Sequence, residues 1–450
     1  MRIHFISIGG NAMHGLAIEL QEQGHEISGS DDIIYDPSRT LLEKQGLLPS
    51  QMGWFPEKIT PDLDAIILGM HARQDNPELQ KAQELGLKIY SYPEFLYLHS
   101  KSKTRVVIGG SHGKTTITSM ILHVMRRCGK EVDFMVGGKL EGYDRMVHLT
   151  SDNKFMVLEG DEYLTSAIDR RPKFLLYHPH IALLSGIAWD HINVFPTFEN
   201  YVKQFELFID TLEPGGTLVY NAEDEVLKDV VDRTHSSVEK ISYRSPSYQV
   251  REGKTILKIA ENTYTLNVFG RHNLNNLMGA QKVCALMGIK PDDFFEAISS
   301  FKGAAKRLEK VIENQDTVVF KDYAHSPSKV KATTEAVQQQ YPDKKIIACL
   351  ELHTYSSLNA DFLAHYKHTL DAADCAIVFY SPQAVAIKRL QKIDAQQIRE
   401  AFEYANLKVF TDPEAFKEEL QQTDLKGAAL LLMSSGTYGG LDFDEVKQWI

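Results

Sequence analysis

The sequence predicts an α/β protein of three consecutive units, each built on a largely parallel sheet. Three observations predict it. Short apolar runs of strand length alternate with segments of helix length, the arrangement that builds parallel strands joined by crossover helices. A strand, a glycine-containing turn and a helix occur together at residues 3–23 and again at residues 105–127, and a fresh strand–helix alternation starts near Gly303. Finally, 450 residues exceed a single hydrophobic core at roughly 150 residues per domain.

Taken in order, residues 3–8 read as a strand, 12–23 as a helix, 26–28 and 65–68 as strands and 77–85 as a helix. The second unit opens with a strand at 105–108 and a helix at 115–127. Strands at 155–158 and 181–185 follow, and helices at 274–287 and 291–301 close it. The third places strands at 317–320, 345–350, 375–379 and 428–433 around helices at 328–340 and 361–372. The runs read as strands are too short and too continuously apolar to be helices of ordinary length. There is no low-complexity linker and no short-period repeat. Boundaries are therefore set where strand–loop motifs restart, giving 1–102, 103–302 and 303–450.

The balance of 49 Lys+Arg against 60 Asp+Glu, net −11, offers no broad cationic surface. That argues against nucleic acid and against anionic membranes as partners, and it leaves any anionic ligand to local sites. No apolar run is long enough to span a bilayer, and the opening Met1-Arg2-Ile3-His4-Phe5 lacks the pattern of a signal peptide. Cys128, Cys284, Cys349 and Cys375 are scattered without C-x-x-C spacing and read as buried, reduced thiols of a cytoplasmic protein.

The strongest local signal is Gly109-Gly110-Ser111-His112-Gly113-Lys114-Thr115-Thr116, between an apolar strand and a helix. Glycines let backbone N–H groups turn onto phosphate oxygens, and the helix start adds positive potential. Lys114 can neutralise β/γ charge, and a Thr115 or Thr116 hydroxyl can join a Mg²⁺ shell. The loop is shorter than the general G-x-x-x-x-G-K-S/T, whose first glycine would fall on Ile108. The bland alternative is a glycine turn with a solvated lysine. A second strand-to-helix turn, Ser7-Ile8-Gly9-Gly10-Asn11-Ala12-Met13-His14-Gly15, is followed by Ser28-Gly29-Ser30-Asp31 at the end of the next strand. Such a turn favours a pyrophosphate. It is not a G-x-G-x-x-G, and a structural turn or an oxidoreductase site with Asp31 on a ribose stay open.

The histidine before Gly113 makes the loop resemble the nucleotide loop of the Mur ligase family, with Ser111 in place of threonine. Further matches follow in family order: Glu159-Gly160-Asp161-Glu162-Tyr163, Asp190-His191, Gly270-Arg271-His272-Asn273-Leu274-Asn275-Asn276, Arg307, and Asp322-Tyr323-Ala324-His325-Ser326-Pro327. The resemblance implies a Rossmann-like N-terminal domain that binds UDP-muramate, a central P-loop ATPase-like domain that binds ATP and a Rossmann-like C-terminal domain that binds the amine. It implies ATP contacts from Gly110, Ser111, His112, Gly113, Lys114, Thr115, Thr116, His272, Asn273, Asn276, Arg307 and Asp322. It further implies Mg²⁺ at Thr115 and Glu159, a second metal position at His191, and a UDP site at Gly10, Asn11, Ala12, Met13, Ser30, Asp31 and His71. Catalysis falls to Lys114, His191 and Arg307, and the amine to His325, His353 and Ser435. A lone histidine such as His191 is more often structural than a metal ligand, and Lys203, where some relatives carry a carbamylated lysine, reads as solvated.

The implied reaction is ATP-dependent amide synthesis on the carboxylate of UDP-N-acetylmuramate through an acyl phosphate. Tyr35-Asp36-Pro37-Ser38 with Leu41-Leu42-Glu43-Lys44-Gln45-Gly46, and Met433-Ser434-Ser435-Gly436-Thr437-Tyr438-Gly439-Gly440, resemble members that couple the tripeptide L-Ala-γ-D-Glu-meso-diaminopimelate in peptidoglycan recycling. The spacing around His353 is more similar to members that add L-alanine. Gly186, Ser326, Lys321 and the segment Glu351-Leu352-His353-Thr354-Tyr355-Ser356-Ser357 depart from the family pattern, and these changes are expected to cluster at the amine site. They keep a third reading open, a nucleotide-binding regulatory paralogue without ligase activity. An oxidoreductase would leave Lys114, Asn273, Asn276 and Arg307 without a task.

Overall fold

The computed structural model describes residues 1–138, 142–143 and 145–449. The chain gathers into two compact units, residues 1–187 with 202–243 and 279–290, and residues 188–201 with 244–278 and 291–450.

The first unit holds two sheets. In the smaller, β1 (Arg2–Ile6), β2 (Glu26–Ser30), β3 (Ala65–Leu68) and β4 (Ile89–Ser91) pair in parallel in the order β2-β1-β3-β4. Ile3, Phe5 and Ile6 of β1 and all four residues of β3 are fully enclosed, as continuous apolar strands covered on both faces should be. The larger sheet contains β5 (Thr104–Gly109), β6 (Asp133–Met135), β7 (Val147–His148), β8 (Phe155–Glu159), β9 (Ile181–Leu184), β10 (Thr217–Asn221) and β11 (Glu239–Tyr243). Their order is β11-β10-β9-β5-β8-β6-β7, parallel except for the β6–β7 pair. From β5 the chain passes to β6 and the edge strand β7, returns to β8 beside β5, then crosses to β9, β10 and β11 on the other side. The carboxyl end of β5 is therefore a topological switch point, where ligands bind in open α/β sheets.

The second unit carries an antiparallel meander of β12 (Tyr248–Arg251), β13 (Lys254–Ile259) and β14 (Asn262–Leu266). Its other sheet runs β15-β16-β20-β17-β18-β19, from β15 (Glu309–Glu313), β16 (Val318–Asp322), β17 (Lys345–Leu352), β18 (Cys375–Tyr380), β19 (Lys408–Phe410) and β20 (Ala428–Met433). Only β15 is antiparallel to its neighbour. The meander is tied to the helix Pro327–Gln340. Thr255 Oγ donates to Gln340 Oε1 at 3.4 Å, and Gln340 Nε2 donates to the Gly253 carbonyl at 2.6 Å.

The α/β class predicted from the sequence is the class observed, with local differences. The first strand ends at Ile6, because Ser7 takes φ 70° and turns the chain, while the second runs on to Ser30. The helix predicted at residues 361–372 is a short 3₁₀ turn, Ala360–Tyr366. Thr369 caps the Tyr366 carbonyl through both its N–H (3.1 Å) and its hydroxyl (2.7 Å), and His368 sits at φ 58°, so no further helical turn forms. The cysteines lie in the predicted apolar segments, but only Cys284 and Cys349 are buried, Cys128 and Cys375 being half-buried. Among the described residues no helix is long and apolar enough to cross a membrane.

Candidate active site

The loop after β5 is shaped by its glycines. Gly110 takes φ 120°, and a Cβ there would stand 2.1 Å from Ser185 Oγ. Gly113, at φ 74°, caps the helix Lys114–Arg127 without a side chain, so the first helical N–H groups face the loop. The Ser111 N–H, expected to turn onto phosphate, instead donates to the Gly186 carbonyl at 3.0 Å. The Ser185 hydroxyl donates to the His112 carbonyl. Thr116 is buried beneath the helix start.

Gly186, one of the departures from the family pattern, is therefore bonded to this loop and lies in the first unit. It holds φ 152°, and a Cβ would meet Asp224 Oδ2 at 2.7 Å. Asp224 in turn accepts the Ile187 N–H at 3.0 Å. The other three departures, Ser326, Lys321 and the His353 segment, lie in the second unit.

Lys114 is enclosed by acids. Its Nζ donates to Glu162 Oε2 at 2.6 Å and to the Gly110 carbonyl at 2.9 Å, with Asp161 Oδ1 at 4.0 Å. Burial works against the ammonium, but Glu162 and Asp161 outweigh it and raise its pKa, so it is held charged. Glu159 ends β8 opposite Ile108, which sets its carboxylate beside the loop, and Thr115 Oγ donates to Glu159 Oε2 at 3.3 Å. Gly137 and Gly138 line the same place: a Cβ on Gly137 would stand 3.0 Å from Glu159 Oε2, and one on Gly138 3.2 Å from Thr115 Cγ2. A hydroxyl, a carboxylate and a glycine-kept recess suit Mg²⁺, which takes one or two protein oxygens and completes its octahedron with water and phosphate. Among the described residues no three His, Cys, Asp or Glu side chains gather as an all-protein metal cage.

Sequence reasoning missed Lys173. Its Nζ is 3.3 Å from Asp161 Oδ2 and lies over the rings of Tyr163 (4.0 Å) and Tyr92 (5.1 Å), with the side chain 5% exposed. The only signal was a lysine at the head of an apolar run.

At the first turn, Gly10 precedes the helix Asn11–Glu22 in extended conformation. Asn11 and His71 are exposed, Gly10 and Ala12 half-buried and Met13 buried. Asp31, the position of a ribose reader in an oxidoreductase, is occupied internally: its carboxylate accepts the N–H groups of Gly9 (2.8 Å) and Asp32 (3.0 Å). Burial, partly offset by the Gly9 N–H, pushes its carboxyl up to about 6. Ser30 Oγ accepts from Lys58 Nζ at 3.1 Å, and its carbonyl from the Ser7 and Ile8 N–H groups.

The remaining candidates lie in the second unit. Arg307 stacks on Tyr323, 4.5 Å from guanidinium carbon to ring centroid. Asp322 accepts the N–H groups of Leu308 and Ala324, fixing the loop that carries Arg307. Burial raises the Asp322 pKa against the pull of Arg307. His272, at the start of the helix Arg271–Leu286, is lowered by burial to about 4 and so is neutral near pH 7. Asn273 Nδ2 donates to the Phe269 carbonyl at 3.0 Å, and Asn276 is buried on the same helix.

Two predicted motifs meet here. Asp190 Oδ2 is 3.7 Å from His325 Nε2 and 3.9 Å from Lys329 Nζ, and the His325 carbonyl accepts the Tyr366 hydroxyl. Burial pushes the Asp190 carboxyl up, but His325 and Lys329 hold it well below the usual range. His191 follows at φ 54°, its N–H on Asp190 Oδ1 at 2.8 Å. At the ends of β17 and β20, Glu351 accepts from the Ser434 hydroxyl and from the Tyr438 N–H (2.8 Å), with His353 Nδ1 at 3.5 Å. A Cβ on Gly436 would strike Glu351 Oε2 at 2.8 Å and the His353 ring at 2.9 Å. Ser435 Oγ is buried with no hydrogen-bond partner among the described residues. Lys203 is exposed and pairs with Glu206 at 2.9 Å, as a solvated lysine should.

Comparison with known proteins brings out three family matches along the chain: the Mur ligase catalytic domain at residues 2–104, the Mur ligase middle domain at 108–284 and the Mur ligase glutamate ligase domain at 306–436. The chain is 31% identical over 448 residues to a UDP-N-acetylmuramate--L-alanine ligase of Sulfurihydrogenibium, covering 97% of this chain and 95% of that one. It is 30% identical over 366 residues to the UDP-N-acetylmuramate--L-alanyl-gamma-D-glutamyl-meso-2,6-diaminoheptandioate ligase of Escherichia coli, covering 78% and 79%. In fold it is similar to a UDP-N-acetylmuramate-alanine ligase of Thermotoga maritima, with TM-score 0.74, 18% identity and coverage of 100% and 99%.

Proposed function

The chain belongs to the Mur ligase family, an ATP-dependent amide ligase of the peptidoglycan pathway, and on that premise we propose that it joins L-Ala-γ-D-Glu-meso-diaminopimelate to UDP-N-acetylmuramate. The observation that carries the general chemistry is Lys114, charged and half-buried beside Thr115 and Glu159 at the switch point of the central sheet. A carboxylate is a poor electrophile until its oxygen receives the γ-phosphoryl group of ATP. The neutral amine then attacks the acyl phosphate carbon, loses a proton and expels phosphate.

The loop glycines and the helix start would cradle the phosphates, with Lys114 set against the charge that spreads over the γ-phosphoryl oxygens. Arg307 would bring a second cation. Thr115 and Glu159 would hold Mg²⁺, which neutralises phosphate charge, with His191 at a second metal position. Neutral His272, Asn273, Asn276 and Asp322 would take the nucleoside end of ATP. Gly10, Asn11, Ala12, Met13 and His71 would take the UDP group, with Ser30 and Asp31 holding that turn in shape. His325, His353 and Ser435 would face the amine. The corresponding domains are 1–102, 103–302 and 303–450, and the reaction belongs in the cytoplasm.

The tripeptide is preferred because Tyr35-Asp36-Pro37-Ser38 with Leu41-Leu42-Glu43-Lys44-Gln45-Gly46, and Met433-Ser434-Ser435-Gly436-Thr437-Tyr438-Gly439-Gly440, resemble members that couple it. L-alanine is the second reading, supported by the identity of 31% to an alanine ligase. Phosphate release from ATP with UDP-N-acetylmuramate, comparing tripeptide and L-alanine with product mass, decides between them. Turnover with alanine alone would overturn the recycling assignment. Nucleotide binding without turnover on either would favour a regulatory paralogue.

A further inference from the structure

Three carboxylates, Glu159, Asp161 and Glu162, crowd the phosphate loop within four residues, and each could compete with phosphate for Lys114. Asp161 stands 4.0 Å from Lys114 Nζ and 3.3 Å from Lys173 Nζ. Its other neighbour is the Tyr163 hydroxyl, and the Tyr163 ring lies beneath the Lys173 ammonium at 4.0 Å. Lys173 is almost wholly enclosed, and the groups in contact that answer its charge are the Asp161 carboxylate and two aromatic faces, Tyr163 and Tyr92.

We propose that Lys173 is a positioning residue for ATP use: it engages Asp161, keeps that carboxylate at 4.0 Å from Lys114, and so leaves Lys114 hydrogen-bonded to one carboxylate, Glu162, to give up when phosphate arrives. The geometry supplies the logic. With Lys173 in place, the charge of Asp161 is answered at Oδ2, the oxygen other than the one that faces Lys114. Without it, Asp161 closes the 4.0 Å gap to the nearest cation, Lys114, which then holds two acids at hydrogen-bond distance and is released to nucleotide less readily. Lys173 touches neither ATP nor the reacting carboxylate in this scheme. Its effect should appear in nucleotide affinity before the chemical step. The inference rests on Lys114 being the nucleotide lysine, as proposed above.

The test is a double-mutant cycle on the full chain. Lys173→Met should raise the KM for ATP about tenfold or more, weaken binding of a non-hydrolysable ATP analogue by a similar factor in calorimetry, and change kcat and the KM for UDP-N-acetylmuramate less than about threefold. Lys173→Arg, which keeps the charge, should stay near wild type. Asp161→Asn added to Lys173→Met should restore most of the ATP affinity, because the competing carboxylate is gone. Equal losses in the KM for both substrates, or a double variant no better than Lys173→Met, would overturn the proposal. Should Lys173→Met fail to fold, Lys173→Gln and the double variant carry the same comparison. Lys114→Ala is the control for the underlying reading: if it binds the analogue as wild type does, Lys114 is misassigned, and an effect of Lys173→Met would then need another cause.

Discussion

Asp133→Asn tests how a buried carboxylate holds the first unit together. Asp133 opens β6 with its side chain fully enclosed, and Oδ2 faces Lys103 Nζ at 2.9 Å and His99 Nε2 at 3.4 Å. Oδ1 accepts from Thr150 Oγ (2.8 Å), the Thr150 N–H (3.1 Å) and Asn153 Nδ2 (2.9 Å). Burial alone would raise its pKa, but the close contacts of His99 and Lys103 and the hydrogen bonds from Thr150 prevail and hold it down to about 2, against 3.8 for the ordinary group. At 1.36 kcal/mol per unit that difference is worth about 2 kcal/mol. Because the folded value is depressed, the contribution is complete above pH ~4 and disappears as pH falls through about 2. Hydrogen exchange reads this locally, which suits a chain of several domains that need not unfold in one step. Amides of residues 99–106 and 147–156 in Asp133→Asn should exchange about thirtyfold faster than in wild type at pH 7. The gap in opening free energy should be about halved at pH 3. Equal protection at pH 7, or a gap that ignores pH, would refute the assignment of stability to the ionised carboxylate.

Three further outcomes follow from the site and the core. Gly110→Ala forces a Cβ to within 2.1 Å of Ser185 Oγ at φ 120°, which costs about 1–3 kcal/mol in backbone strain before any clash is counted; ATP-driven phosphate release should fall at least 100-fold, by roughly the 2.7 kcal/mol that such a loss represents, with circular dichroism unchanged. Glu159→Gln removes the charged partner of Thr115 and should raise the Mg²⁺ concentration for half-maximal turnover about tenfold, corresponding to ~1.4 kcal/mol; an unchanged Mg²⁺ dependence would remove Glu159 from the metal shell. Burial pushes the Cys284 and Cys349 thiols well above their ordinary range, so a thiol reagent should reach no more than two of the four cysteines in the native protein and all four after denaturation.

The parallel strands were legible because a strand buried on both faces is a continuous apolar run: residues 65–68 and 428–433 were placed at the observed bounds. The meander β12–β14 escaped because its alternation is weak and its turns use Glu252-Gly253 and Ala260-Glu261, with Glu252 and Ala260 at φ 51°, where Asn-Gly would have announced a hairpin. The helix at 361–372 failed because its breaking lies in a hydroxyl cap and a left-handed histidine, neither marked by Gly or Pro. In the site, the loop after β5 was legible from strand, glycines, lysine and helix together, since Ile108 stands where the general pattern has its first glycine. The role of Gly186 was not, since it depends on Asp224, nearly forty residues away in sequence and brought close only by the β9–β10 pairing. Lys173 carries no motif at all, and only its enclosure by Asp161 and two tyrosine faces distinguishes it from a solvated lysine.

The attachment of the meander to the helix Pro327–Gln340 makes that helix a lever with two addressable ends. Its 14 residues, at 1.5 Å per residue, span about 21 Å from the His325-Ser326 end to the Gln340 end clasped by Gly253 and Thr255. A helix of that length transmits displacement as a rigid rod, so a dye placed at the exposed Glu252 tip is a remote reporter of what happens at His325. The two ends can be read and perturbed separately, one by chemistry and the other by optics, in the same molecule.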